Sequence, residues 1–205
     1  MLTVRADAAE VEAALAQGRL SCPECGGVLR PWGWARSRVL RGASGRVAVR
    51  PRRACCADCG ISHVLLPVFV LVRRADLVEV IGAALVLKAR GAGARAIAAR
   101  LGRAVETVRG WLRRFAGKAG AVRGFFTRLL VDVGVDPLLP APGGSVFADA
   151  LSALLGARVA ACGRWPVVGA VPVWRWAAVG CGGLARPSAC SGLALIVDQH
   201  QSPLM

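Results

Sequence analysis

Two short cysteine pairs, Cys22-Pro-Glu-Cys25-Gly26 and Cys56-Ala-Asp-Cys59-Gly60, constrain this chain more than any other feature. Four thiolates delivered as two CxxC pairs are the donor set of a tetrahedral zinc ion. In each pair the two-residue spacer lets both sulfurs face one point. The glycine that follows permits the tight turn that aims backbone N–H groups back at the sulfurs. The segment between the pairs reads as a β-hairpin, so the N-terminal third is expected to be a zinc ribbon holding one structural Zn2+ on Cys22, Cys25, Cys56 and Cys59. A redox dithiol is the other use of CxxC, but two glycine-followed pairs flanking a hairpin argue against it. A shell of four thiolates leaves no position for a metal-bound water, so catalysis at this ion is not expected.

Cys55 adjoins the second pair, yet only Cys56 gives the two-residue spacing. His63, four residues past Cys59, is expected in the core or supporting the site, donating to a thiolate or to the backbone. Cys162, Cys181 and Cys190 lack metal spacing and read as buried or free thiols. Trp32 and Trp34 are read as caps on a small ribbon core in preference to a surface that stacks on nucleic acid.

Charge is the second constraint. The 205 residues carry 27 basic side chains, 25 of them arginine, against 12 acids, a net charge of +15. The excess is segregated. Cys25 to Ala57 holds eight arginines and no acid, and Gly93 to Arg128 holds nine basic residues against Glu106 alone. Two such blocks point to a polyanionic partner, double-stranded DNA first, with RNA also open to the ribbon. The N-terminus has no continuous apolar signal core, which implies a reducing cytoplasmic, nucleoid-associated setting. Val64–Val72 is short and broken by Pro67, and Pro166–Val179 carries Arg175. Neither reaches the roughly 20 apolar residues of a membrane helix.

Along the chain, Asp7-Ala-Ala-Glu10 has the form of a capping box opening a helix to about Gln17. Val28–Trp34, Arg36–Arg41 and Arg46–Arg50 read as strands, the last two joined across Gly42–Gly45 and alternating so that Arg46, Ala48 and Arg50 share a cationic face. Helices are expected at Asp76–Arg90, Ala94–Leu101, Val105–Phe115 and near Ala121–Val131. The proline- and glycine-rich run from Asp132 to Gly144 reads as a linker, and Ser145 as the cap of a helix to about Cys162. The remainder shows little periodicity.

Residues Ala94–Arg113 match a helix-turn-helix pattern: Ile97 and Leu101 apolar, Ala98 small at the crossing, Gly102 in the turn, then Val108 and Trp111. Val108, Leu112 and Phe115 share one face of the second helix, which turns Glu106, Arg109 and Arg113 outward. On a recognition helix Arg109 and Arg113 can bond guanine edges, and Glu106 can accept from cytosine or orient an arginine. Ala104 lacks the oxygen of a Ser, Thr or Asp cap, a loss of about 1 kcal/mol.

Three strings carry a family resemblance: Pro51-Arg-Arg through Cys56 and Cys59 to Ser62-His63-Val-Leu-Leu-Pro67, then Arg73-Arg-Ala-Asp76, then Glu106-Thr-Val-Arg-Gly-Trp-Leu-Arg-Arg-Phe115. Over about Leu20–Val131 the chain resembles an uncharacterised bacterial zinc-ribbon/helix-turn-helix family associated with mobile elements. More distantly it is similar to the N-terminal DNA-binding part of ISL-type transposases. The resemblance implies DNA binding by ribbon and bundle together, at element ends or an operator. The chain departs from the family pattern at Cys55, where arginine is expected, and at Ala104, where proline is usual.

The expected fold class is α+β: a small four-cysteine zinc-ribbon β-hairpin module, a helix-turn-helix, homeodomain-like bundle and a C-terminal helical region. The expected divisions are 1–72, 73–131, a linker at 132–144, and 145–205. Phosphate contacts are expected from Arg36, Arg38, Arg50, Arg52, Arg53, Arg103 and Arg114. After the bundle only Asp132, Asp136, Asp149 and Asp198 could serve a metal-dependent nuclease, and the chain there is too short for such a domain, so no enzyme is expected. The helix 145–162, neutral and rich in alanine, suits a homodimer or a mobile-element protein partner.

Overall fold

The computed structural model describes residues 1–180, and Cys181, Cys190, Asp198 and the tail that holds them lie outside the described residues. The architecture is α+β. It forms two compact units, Met1–Leu77 and the residues from Val78 onward.

The first unit is built on a four-stranded sheet of order β1-β6-β5-β2. Its strands are β1 (Leu2–Val4), β2 (Leu29–Trp34), β5 (Arg52–Cys56) and β6 (Ser62–Pro67). β2 and β5 are antiparallel with Leu29 opposite Cys56, β5 and β6 are antiparallel with Ala54 opposite His63, and β1 runs parallel to β6. The pair β3 (Arg38–Arg41) and β4 (Arg46–Val49) forms a separate two-stranded hairpin. The single hairpin expected between the cysteine pairs is thus two structures: a bulged β2–β5 pair that carries the knuckles, and the β3–β4 finger between them.

Helix α1 (Ala8–Ala16) starts at Asp7, whose carboxylate accepts from the N–H groups of Ala9 and Glu10 at 2.7 and 3.3 Å. Glu10 does not reach back as a capping box requires; it pairs with Arg5 at 3.1 Å. Val11, Ala14 and Leu15 of α1 join Val4, Leu20, Leu29, Ala54 and Leu65 in one buried cluster that also contains Cys22 and Cys56. Burial of each leucine there contributes roughly 1.5–3 kcal/mol. A second cluster, Leu40, Leu66 and Val70, ties the finger to the sheet. Asp76, expected to start a helix, is instead buried and accepts from Arg41 Nη2 at 2.7 Å.

The second unit contains α2 (Val78–Ala89), α3 (Ala94–Leu101), α4 (Val105–Ala116), α5 (Ala119–Val133), α6 (Val146–Arg164), α7 (Val167–Ala170) and α8 (Val173–Gly180). Ser145 Oγ caps α6 by accepting from Ala148 N–H at 3.1 Å. α5 and α6 form the most extensive pair, so the helix expected to stand beyond a linker packs within the same unit as those before it. Phe115 of α4 stacks on Phe147 of α6 with ring centroids 5.4 Å apart. The stretch after α6, which shows no periodicity, supplies Trp176 of α8. It is fully buried, 5.3 Å from the Phe126 ring. α8 lies so close to α2 that a Cβ added at Gly82 would meet the Trp174 ring at 2.1 Å.

Among the described residues α6 alone is long and apolar enough, by length and composition, to cross a membrane. Phe147, Ala150, Leu151, Ala153, Leu154, Ala157 and Ala161 of this helix are buried in the unit, and Leu155 and Val159 are exposed.

Candidate metal centre and cationic surfaces

The two knuckles are built alike down to their hydrogen bonds. Cys22 N–H donates to Gly27 O at 2.7 Å and Cys56 N–H to Ile61 O at 3.0 Å. Gly26 N–H then returns to Cys22 O, and Gly60 N–H to Cys56 O, at 2.8 and 3.1 Å. Gly26 and Gly60 hold φ of +80° and +70°, which glycine adopts without strain. Gly27 has a different reason: a Cβ there would meet the Asp58 carboxylate at 2.1 Å.

These turns bring Cys22, Cys25, Cys56 and Cys59 together, their sulfurs all within 4.8 Å of one another. Cys22 and Cys59 sulfurs are 3.8 Å apart and Cys25 and Cys56 sulfurs 3.5 Å. A tetrahedron with metal–sulfur bonds of about 2.3 Å has edges of about 3.8 Å, so this cluster fits a four-coordinate metal ion. Backbone N–H groups converge on the sulfurs, Gly27 on Cys25, Ile61 on Cys59, and Cys59 and Asp58 on Cys56. Such donors stabilise thiolate and orient it. The Cys59 amide, foremost, with those of Asp58 and the neighbouring thiols, lowers Cys56 to about 7. At Cys59 the Ile61 amide is outweighed by desolvation and the adjacent sulfurs, and the thiol is pushed up to about 12.

The structure places His63 and Cys55 beside this shell. His63 is buried with Nε2 3.3 Å from Cys22 Sγ, in position for an N–H to donate to that sulfur. Desolvation, its largest influence, holds the imidazole below its ordinary pKa and therefore neutral at pH 7. Cys55 points away, its thiol donating to Gly60 O at 3.2 Å, which leaves Cys56 in the cluster.

Around this centre the ribbon arginines fall into two groups. Arg36 and Arg50 are exposed and Arg38 and Arg53 half-buried, Arg53 donating to Ser62 Oγ at 3.3 Å. Arg52 is engaged inside the unit: its Nε lies 2.6 Å from a Glu12 carboxylate oxygen and its Nη1 donates to Gly33 O. Its side chain is 15% exposed, so the residue expected at a phosphate is a bracket between α1 and β2. Trp32 and Trp34, expected to cap the core, are 60% and 46% exposed. No pattern in the sequence distinguishes these two positions from buried ones, because a register shift in β2 displaces them.

In the second unit Gly102 ends α3 in the left-handed conformation, φ +60° and ψ +44°, and α4 starts three residues later. Val108, Gly110, Trp111, Leu112 and Phe115 are buried, and Glu106, Arg109 and Arg113 exposed, as the periodicity predicts. Arg109 Nη1 donates to Glu106 Oε1 at 2.6 Å. Arg103 donates to the carbonyls of Leu101 and Gly102 at 3.0 and 3.1 Å, bracing the turn. Arg114 donates to Gly110 O at 2.8 Å. Ala104 leaves α4 without a side-chain cap.

Compared with known protein families, characterised proteins and solved structures, the chain has no match.

Proposed function

We propose that the protein is a non-enzymatic, sequence-specific DNA-binding protein, a transposition accessory or transcriptional regulator. In this reading α3 and α4 form a helix-turn-helix with α4 as recognition helix, and one zinc ion holds the basic ribbon together. The observation that carries it is the exposed face of α4. Two arginines and a glutamate stand outward on a helix whose opposite face is buried, next to a glycine turn that sets it against α3. Arg113 and Arg109 match guanine edges, and Glu106 holds Arg109 in register until cytosine replaces it. Backbone contacts fall to Arg36, Arg38, Arg50 and Arg53 on the ribbon, and to Arg103 and Arg114 flanking the recognition helix. Zinc is the preferred ion because a four-thiolate tetrahedron suits it and its role here is structural. The likeness of the cysteine and α4 strings to a mobile-element family favours a place at element ends or an operator.

The test is selection of the zinc-loaded protein on random-sequence duplex, followed by sequencing. The expected result is an enriched motif whose discrimination falls about tenfold or more in Arg113→Ala, while Arg50→Ala weakens cognate and random duplex alike. Equal losses from both variants would remove base reading from α4.

A second reading, an adaptor that binds nucleic acid non-specifically, is favoured by the exposed Leu155 and Val159 on α6. Retention without a motif, together with a dimer or partner complex that Val159→Asp abolishes, is the outcome that would support it.

A further inference from the structure

Strand β2 keeps two large rings in solvent by construction. It lies at the edge of its sheet, and Pro31 within it offers no N–H for pairing. Between Pro31 and Trp34 its register against β5 shifts, with Gly33 at φ +88°. A bulge of this kind re-aims the side chains beside it. Arg52 fastens the bulge through its bond to Gly33 O and its pairing with Glu12, and lays its guanidinium 4.8 Å from the Trp34 ring centroid. Arg50 sits 5.8 Å from the same ring, and Arg30 and Arg36 are exposed to either side in sequence. Burial of an indole is the usual outcome in a small core. Here a bulge and a largely buried arginine hold one in solvent instead.

We propose that Trp32, Trp34 and the arginines around them form a stacking platform for the unpaired bases of a nucleic-acid strand. Trp32 and the open side of Trp34 take bases, while Arg30, Arg36 and Arg50 take phosphates. Aromatic faces cannot reach bases stacked within a duplex, whereas cationic surfaces carrying exposed rings bind single strands with little regard to sequence. A protein partner is the competing occupant of an exposed tryptophan pair. The absence of any acid between Cys25 and Ala57 selects a polyanion instead. The platform shares Arg36 and Arg50 with the proposed duplex backbone contacts, but its tryptophans lie outside them and it stands without base reading by α4.

The experiment is fluorescence anisotropy of the full-length, zinc-loaded protein with labelled oligothymidylate and oligouridylate. Binding of at least one is expected, weakened about tenfold or more by Trp32→Ala and by Trp34→Ala, with Trp32→Phe retaining most of the affinity. Zinc content and duplex binding should not change in these variants. A preference for either oligomer names the strand as DNA or RNA and supports the platform. Failure to bind both, or tryptophan variants within about twofold of the wild type, overturns it whatever the duplex selection finds. If Trp34→Ala loses its zinc, Trp32→Ala and Trp34→Phe decide the matter.

Discussion

At Cys55 and Cys56 two neighbouring thiols have opposite fates, because successive residues of a strand point to opposite faces. Cys56 faces the cluster, and Cys55 hydrogen-bonds to Gly60 O outside it. Metal content per chain should therefore be unchanged in Cys55→Ser. It should fall from about one to near zero in Cys25→Ser or Cys56→Ser, with loss of the fold of residues 1–77; elemental analysis and circular dichroism read both. The four-cysteine cluster was legible because spacing alone brings the two sulfurs of a pair to one point. Arg52, Trp32 and Trp34 were not, because their surroundings depend on a register shift of β2 against β5, a strand distant in sequence. Residue type says that an arginine is charged; only packing decides whether that charge is offered to a partner or used as a bracket.

Among the elements, helix boundaries in α3, α4 and α6 follow closely from periodicity, Gly102 and the Ser145 cap. β5, β6, α7 and α8 were harder to read. β5 is short and opens on two arginines, β6 is a mostly apolar run that fits strand or buried helix equally, and α7 and α8 are held by tertiary contacts, α7 through Arg158 donating to Gly169 O and α8 through Trp176 and Arg175. Two glycines test how closely helices approach. Gly82→Ala should lower stability by more than about 1 kcal/mol, because the rigid Trp174 ring must move out of the way. Gly124→Ala, interior to α5 with only the Arg128 side chain nearby at 3.6 Å, should raise it by about 0.5–1 kcal/mol. Ala104→Ser should add about 1 kcal/mol by supplying the missing oxygen at the start of α4. Denaturant melts of the three variants rank these effects.

For the molecule as a whole, the two compact units rest on different foundations. The first has a modest apolar core and a four-cysteine cluster, the second an aromatic and aliphatic core closed by Trp176. Trp176→Ala should cost about 3–5 kcal/mol in the helical unit and leave metal content untouched, as read by near-ultraviolet circular dichroism and elemental analysis. Chelation should do the reverse, abolishing the sheet signal of residues 1–77 while helical ellipticity persists.

Every ribbon residue proposed to touch nucleic acid lies between Cys25 and Cys56, and each end of that stretch is pinned by a knuckle whose own ring closes over only a few residues. A metal ion meeting the unfolded chain can capture either pair at little entropic cost and must then join the two across a much longer loop. If the proposed ion binds there, the second capture is the step that assembles the proposed surface. Availability of the ion, rather than abundance of the protein, would then set how many copies are competent to grip a strand, and thiol oxidation at any of the four positions would release the whole surface in one event.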